Sequence, residues 1–552
     1  MRCFLAPTFP LARSRVPWLA VAVLLSAAGN ATAGAEPIPL TTGSGNDTEA
    51  VFSPDARRVV FQSDRSGTLD LYQLDLATKE VTPLVAGPGH ACFPAFSPDG
   101  KWVVYSYAHF TTTAFEGIEH GYNLFVIPAE GGEARRLTSG RHRDYCPRFS
   151  PDGRTIWFAS DRAGGGTRET NSVNLFSVPL DGGELQPFTG YTTRDAAAVG
   201  VSFSPDGPHF VYGLIVGFRG NWVIRLARTD EPDRAYPLTD PMTSFYAPRF
   251  SPAGDWVAAT GFVVGDAGWG VYLIDPKTGH RIRLETGPGN ARSPAFASDG
   301  KSLVYENNQT GCYKLYRIDV PPLEAAVPPA KPDSTTLVST TSDDVVLHYP
   351  FDQKPDGATI DDLSSAGNDG TVHGPVTVEN GAAQFGKRGA YVTIPEARGF
   401  DFGAGPFSVR ATVTVSEGDE LAFIAMGEYP GNRLGWQLYL DANRRVWFNS
   451  RDAELQYRGA CSDASCPVGR EVTLVGVRDD SGTVRLYVDG ALQQRSSSGA
   501  TYEYGDPVQV RIGSQYDGTR QLTGWLHEVT VWRRALSPDE IRGDSLQRFW
   551  AE

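Results

Sequence analysis

Between Ala50 and Val320 the apolar positions fall in short runs, and each run ends in a turn signal. KWVVYSY, YNLFVIP, RTIWFAS and VNLFSVP are dense in β-branched and aromatic residues, which suit a pleated, half-buried surface. No sustained 3.6-residue apolar spacing appears before the short SPDEIRGDSLQRFW at the end of the chain, so a helical enzyme core is excluded. The pattern predicts an all-β protein.

The turns repeat one phrase. FSPDA stands at Phe52, FSPDG at Phe96, Phe149 and Phe203, FSPAG at Phe250 and FASDG at Phe296, spaced 44, 53, 54, 47 and 46 residues apart. That period marks four-stranded propeller blades. In the second unit PAFS leads into the turn PDG, then KWVVYSY, YNLFVIP, a Gly-Gly turn and RRLT, and the third unit repeats the order. Within the phrase proline presets φ, the aspartate accepts a hydrogen bond from backbone further on, and glycine takes a positive φ. Asp55, Asp99, Asp152, Asp206 and Asp299 are therefore expected to shape hairpins rather than to catalyse. The sixth unit ends at YKLYRIDVPP without the fourth strand that other units write as LTSG, FTGY or PLTD. The segment from Pro37 to Thr41 supplies it from the other end, and a ring closed in this way has no open sheet edge.

The run FSPDARRVVFQSDRSGTLDLYQLD, echoed by FSPDGRTIWFASDRAGG, resembles the TolB-type six-bladed propeller repeat over residues 36–322. That resemblance implies the fold, whereas its members include periplasmic protein-binding scaffolds, peptidase accessory domains and uronate-polysaccharide lyases. Residues 323–344 are rich in Pro, Ser and Thr without periodicity and read as a semi-extended linker. Over 345–552 the strand pattern resumes without the phrase. Its opening HYPFD and DDLSSAGNDGTVHG, and its ending LTGWLHEVTVWRRALS, resemble the laminin-G-like, concanavalin A-like jellyroll, which predicts a C-terminal β-sandwich. Many such domains hold a structural Ca²⁺, which implies Asp352 and Glu528 as ligands, with His527 where the pattern usually has an aspartate. Trp436, Trp447, Trp525 and Trp532 lie in alternating strands and are expected in the core.

Composition narrows the partners. The chain has 552 residues, 41% of them hydrophobic, enough for two domains. Residues 1–33 read as a cleaved secretory signal peptide, with Arg2, Arg13 and Arg15 ahead of the apolar run Trp18 to Ala28 and Ala31-Thr32-Ala33 as the cleavage site. Export then ends in the periplasm or outside the cell. Without the leader, 47 basic residues face 64 acidic ones, which disfavours nucleic acid and membrane insertion. Disulfides are permitted in such a compartment. Cys461 and Cys466, in the loop CSDASC, form the best local pair, and Cys92 and Cys146 sit ahead of successive repeat phrases.

Residues just ahead of each inner strand are placed to line one mouth of the ring. They give Asp47, His90, Arg143, Asp144, Tyr145, Tyr246, Asn290 and Arg292 as candidate ligand-binding residues, a polar set suited to a polysaccharide or an envelope protein. The resemblance to propeller lyases adds a catalytic alternative. A histidine or tyrosine (His120, His142, Tyr191 or Tyr246) would remove the proton α to a uronate carboxylate, and Arg194 or Arg292 would neutralise that carboxylate. A serine-hydrolase elbow of the form G-x-S-x-G is absent. The first expectation is thus an exported recognition protein, with a β-eliminating polysaccharide lyase as the alternative.

Overall fold

The computed structural model describes residues 36–551 except 109–120, 163–171, 193–195, 216–219, 323–337, 341, 353–357, 386–388, 396, 420–421, 430–432, 452–456, 497–508 and 516–519. Six four-stranded antiparallel sheets form the blades of a propeller. The innermost strands are Asp47–Phe52, His90–Phe96, Tyr145–Phe149, Ala197–Phe203, Ser244–Phe250 and Ala291–Phe296. Each runs from the mouth built by the rim loops to the mouth built by the repeated phrase. Apolar side chains pack between successive blades, as where Ala50, Val59 and Phe61 of the first meet Ala295 and Val304 of the sixth.

The phrase acts as a turn. Asp55 accepts hydrogen bonds from Ser53 Oγ at 2.5 Å and Arg57 N at 3.1 Å, and Asp99 and Asp152 repeat both contacts. Gly100 and Gly153 stand at φ 72° and 71°, where a side chain would be strained. The ring closes as the sequence predicts. Ile38–Pro39 pairs antiparallel with Lys314–Asp319, Ile38 opposite Arg317 and Pro39 opposite Tyr316. Leu40 N donates to Leu315 O at 2.8 Å, and Leu315 N to Thr41 Oγ1 at 3.1 Å.

Every inner strand also carries a β-bulge. The register slips once per blade, and the bulged residue is left-handed: Glu49, Phe93, Cys146, Gly200, Ala247 and Ser293 have φ of 50°, 56°, 53°, 69°, 52° and 51°. Bulges bend a strand and re-aim its side chains. Neighbouring blades receive the displaced amides, since Phe93 N donates to Gln62 Oε1 at 3.0 Å and Ser293 N to Thr260 Oγ1 at 2.8 Å.

The second half is a sandwich of two eight-stranded antiparallel sheets. Its first strand, Val345–Tyr349, pairs with its last, Trp525–Trp532. The core includes Leu347, Phe407, Trp436, Phe448 and Leu526. A helix, Pro538–Ala551, follows. Ser537 and Glu540 form a capping box, Glu540 N donating to Ser537 Oγ at 3.2 Å and Ser537 N to Glu540 Oε2 at 2.8 Å. Leu546 and Phe549 of the helix enter the apolar cluster of Val211, Ile224, Leu226 and Tyr236 in the propeller.

Candidate functional site

The rim residues singled out by spacing do a different job from the expected one: they bracket adjacent blades. Leu69 N donates to His90 Nδ1 at 3.0 Å, Trp222 N to Ser244 Oγ at 3.2 Å, Trp269 N to Asn290 Oδ1 at 3.0 Å and Tyr313 N to Asn46 Oδ1 at 3.1 Å. In each case a residue ahead of an inner strand fixes the loop of the preceding blade. His90 and Asn290 thereby position the rim rather than offer free side chains to a ligand. Burial holds the His90 imidazole below its ordinary pKa.

Asp47 and Asp144 also leave the ligand set, because both are fully buried. Asp47 is bonded by Ser63 Oγ and Arg65 Nη2, each at 2.7 Å, and lies 3.3 Å from Lys314 Nζ. Asp144 takes Ser160 Oγ at 2.7 Å and Arg162 Nη2 at 2.6 Å. The middle acid of each Ser-Asp-Arg run completes the staple: Asp64 accepts Asn46 N, and Asp161 accepts Arg143 N and Nε. Arg143 is therefore paired within its own blade. His142 Nδ1 lies 3.6 Å from Asp161 on the outer rim. Tyr191 packs between the third and fourth blades with its hydroxyl 2.7 Å from that of Tyr212, which removes it from the catalytic set. His120 and Arg194 lie outside the described residues.

Tyr145, Tyr246 and Arg292 each stand one position before a bulge and are half-buried. Around Arg292 the structure gathers a site. Its Nη2 donates to Glu306 Oε2 at 3.1 Å, and its guanidinium lies 3.7 Å from the centre of the Tyr313 ring. Ser293 Oγ donates to Glu49 Oε1 at 3.0 Å. Above this floor stands an aromatic wall: Tyr246 lies 6.4 Å from Trp222 and 5.2 Å from Trp269, and Trp269 lies 5.8 Å from Phe262, ring centre to ring centre.

Electrostatics distinguish these groups. Glu306 is 1% exposed. Burial, only partly offset by Arg292 and reinforced by the Glu49 charge, raises its carboxyl to about 7. Against the downward pull of burial, Glu306 holds Arg292 above its usual value. Burial likewise pushes the Tyr145 and Tyr246 hydroxyls up, so both keep their protons at neutral pH and neither serves as a base. Glu306 is the residue that motif reading missed. Across the blades its register position holds Gln62, Ser106, Ala159, Gly213 and Thr260, so a lone acid at that strand position was the available signal.

Residues 70–221 match the family described as TolB beta propeller domain, and residues 385–542 match the concanavalin A-like lectin/glucanases superfamily. The propeller is TolB-like and the sandwich is concanavalin A-like. A 191-residue stretch is 27% identical to "Uncharacterized peptidase YuxL" of Bacillus subtilis. It covers 34% of this chain and 25% of that protein, so the match spans a quarter of the relative's length. Among solved structures, TolB from Acinetobacter baumannii has TM-score 0.38 and 19% identity, over 46% of this chain and 58% of that one. An oligogalacturonate lyase in complex with manganese has TM-score 0.38 and 17% identity, over 52% and 80%. Trypanosoma rangeli sialidase has TM-score 0.35 and 13% identity, over 93% and 97%. Likenesses at these TM-scores carry nothing about activity.

In the concanavalin A-like sandwich, two expectations are corrected. Cys461 and Cys466 are both free thiols. The segment is strand, not loop: Cys461 lies within Tyr457–Ser465, opposite Trp447, and Cys466 follows it. Held in or next to a strand, the two are separated by roughly 16 Å of chain if fully extended, well beyond disulfide reach. In the TolB-like propeller Cys146 is a free thiol as well, so no bridge joins it to Cys92. The structure does not gather the expected calcium ligands into one cluster among the described residues. Glu528 is bound by Arg410 and lies 2.8 Å from Arg548 Nη2, and against the upward push of burial the contact with His348 and the charges of both arginines hold its carboxyl far below the usual range. Two guanidiniums repel Ca²⁺, and Asp352 is exposed. Among the described residues no group of three or more His, Cys, Asp or Glu could hold a metal ion. Trp436 and Trp532 are core residues. Trp447 is half-buried and belongs to a parallel ladder with Tyr439 and Phe423.

Proposed function

We propose that the chain is an exported recognition protein that binds a polysaccharide at the rim-loop mouth of its propeller. The observation that carries this reading is the aromatic wall of Trp222, Tyr246, Trp269 and Phe262 standing over Arg292, Glu306, Ser293 and Glu49. Flat rings take the carbon faces of sugars, and a hydrogen-bonding floor takes hydroxyls and carboxylates. The concanavalin A-like sandwich, whose superfamily description includes lectins, adds a second binding surface. Two surfaces on one polymer raise avidity through effective concentration. Electrophoresis through gels containing acidic and neutral polysaccharides tests the reading. We expect retardation by at least one polysaccharide, reduced about tenfold in apparent affinity by Trp269→Ala, the cost of one lost stacking contact. Free migration in every gel, with binding to an envelope protein instead, would replace it.

One observation favours the catalytic alternative. Glu306 has its ionisation raised to about 7 beside Arg292, which places a base and a carboxylate-neutralising cation together. Glu306 would take the proton α to a uronate carboxylate. The electron pair of the broken C–H bond would form the new double bond as the leaving oxygen departs with the C–O pair and takes a proton from water. An increase in ultraviolet absorbance from the unsaturated product, lost in Glu306→Gln and kept in Tyr246→Phe, would establish elimination. No increase would leave binding alone.

A further inference from the structure

The opposite mouth has no part in the reading above. There the inner strands end in the repeated phrase and enclose a cavity of about 370 Å³. The phenylalanine that opens each phrase and the prolines of five blades wall it. The turn aspartates are not part of its lining, and those of the first three blades are bonded to their own serines. Only two charged side chains line the cavity among the described residues, Arg148 and Arg249. Both occupy the same position two residues after the bulge, where the other blades carry Val51, Ala95, Ser202 and Ala295. In a chain with 64 acidic and 50 basic residues, a cavity lining whose only formal charges are positive is an exception that favours anions.

The two guanidiniums are also under-used. Each donates Nη1 to the carbonyl of the proline before it, Pro147 or Pro248, at 2.7 Å. Neither makes an ion pair among the described residues. That contact orients the planar fork while leaving most of its five donors toward the lumen. Burial pulls Arg148 below its ordinary pKa, with Cys146 and Glu49 opposing from further along the channel. A bound anion would relieve that desolvation.

We propose that this mouth receives the carboxylate of a small, sugar-sized acid, gripped by Arg148 and Arg249 while the phenylalanine and proline wall packs against its carbon skeleton. A uronic sugar and a simple dicarboxylate share that chemistry.

Calorimetric titration of the full chain with glucuronate, glucose and succinate tests the proposal. Glucuronate is expected to bind, and glucose at least about tenfold more weakly, the scale of one charge-assisted contact. Arg148→Gln and Arg249→Gln should each weaken glucuronate about tenfold, with the lysine variants intermediate. Trp269→Ala, in the other mouth, should leave this affinity unchanged. Succinate binding as tightly as glucuronate would assign the site to the carboxylate alone, and weaker succinate binding would assign it to the uronate. Thermal melting of each variant confirms folding, and the two arginines give independent variants. The proposal is overturned by an absence of carboxylate binding, by equal affinity for glucose, by insensitivity to both glutamine variants, or by loss of binding in Trp269→Ala with Arg148→Gln unaffected.

Discussion

At the scale of single residues, the channel holds one carboxyl whose proton is shared differently by the folded and unfolded chain. Burial raises Glu306 from 4.5 to about 7. Between those values the folded state keeps a proton that the unfolded chain has released, so this group's contribution to stability falls as pH rises through that window. Replacing it with Gln removes the dependence. In urea titrations at pH 4.5 and pH 8, wild-type stability relative to Glu306→Gln should fall by about 3 kcal/mol across the range. A difference independent of pH would refute the assignment. The Ser-Asp-Arg staples give a second expectation. Asp144 is fully buried and neutralises Arg162, which is itself largely enclosed. Asp144→Asn leaves that cation uncompensated and should cost about 3 kcal/mol in denaturant unfolding. The loss should occur without any change at the aromatic wall, which sits in other blades.

At the scale of elements, the strands and their closure were readable because each is a local statement. Pro37 to Thr41 repeats the outer-strand wording, and Ile38–Pro39 lies against Lys314–Asp319. Cutting the chain after Thr41 should expose that strand's edge. Hydrogen exchange over Lys314–Asp319 should then accelerate and the protein should self-associate in size-exclusion chromatography, whereas unchanged protection would show that the edge does not depend on the N-terminal segment. The site was less legible for a physical reason. Spacing gives which residues precede each inner strand, but the bulge after them decides which side chains reach the lumen. Arg292 and Tyr246 stand immediately before a bulge, whereas Asp47 and Asp144 are held by Arg65 and Arg162 from the loop that follows the second strand. Glu306 comes from a second strand, outside any window that reads the rim. Cys461 and Cys466 looked like a loop pair because CSDASC is rich in turn residues, yet pairing with Arg445–Arg451 makes it strand.

At the scale of the whole molecule, the C-terminal helix decides whether propeller and sandwich act as one body. Its charged side belongs to the sandwich: Asp544 lies 3.1 Å from Arg410, and Arg548 lies 2.8 Å from Glu528. Its apolar side belongs to the propeller, where Leu546 and Phe549 are buried, His209 lies 4.4 Å from the Trp550 ring, and Trp550 Nε1 donates to Pro276 O at 3.0 Å. Truncating Phe549 and Trp550 to alanine therefore removes the helix's aromatic contacts to the propeller, leaving Leu546 and the sandwich contacts in place. Phe549 is buried, and its truncation costs about 3–5 kcal/mol where the cavity cannot collapse; half-buried Trp550 adds less, and together the losses are enough to release the interface. The double variant should melt in two calorimetric transitions and show a larger radius of gyration by small-angle scattering. Affinity for a short oligosaccharide should be unchanged, because neither ring touches the mouths. Retardation by long polysaccharide should fall, because two surfaces held in fixed register lose their effective concentration once the connection is only a linker. A single melting transition with unchanged scattering would show that the helix's aromatic pair is a passenger, and that the rest of the seam, where Thr239 to Met242 and Arg485 and Tyr487 line one cavity of about 380 Å³, suffices to hold the halves together.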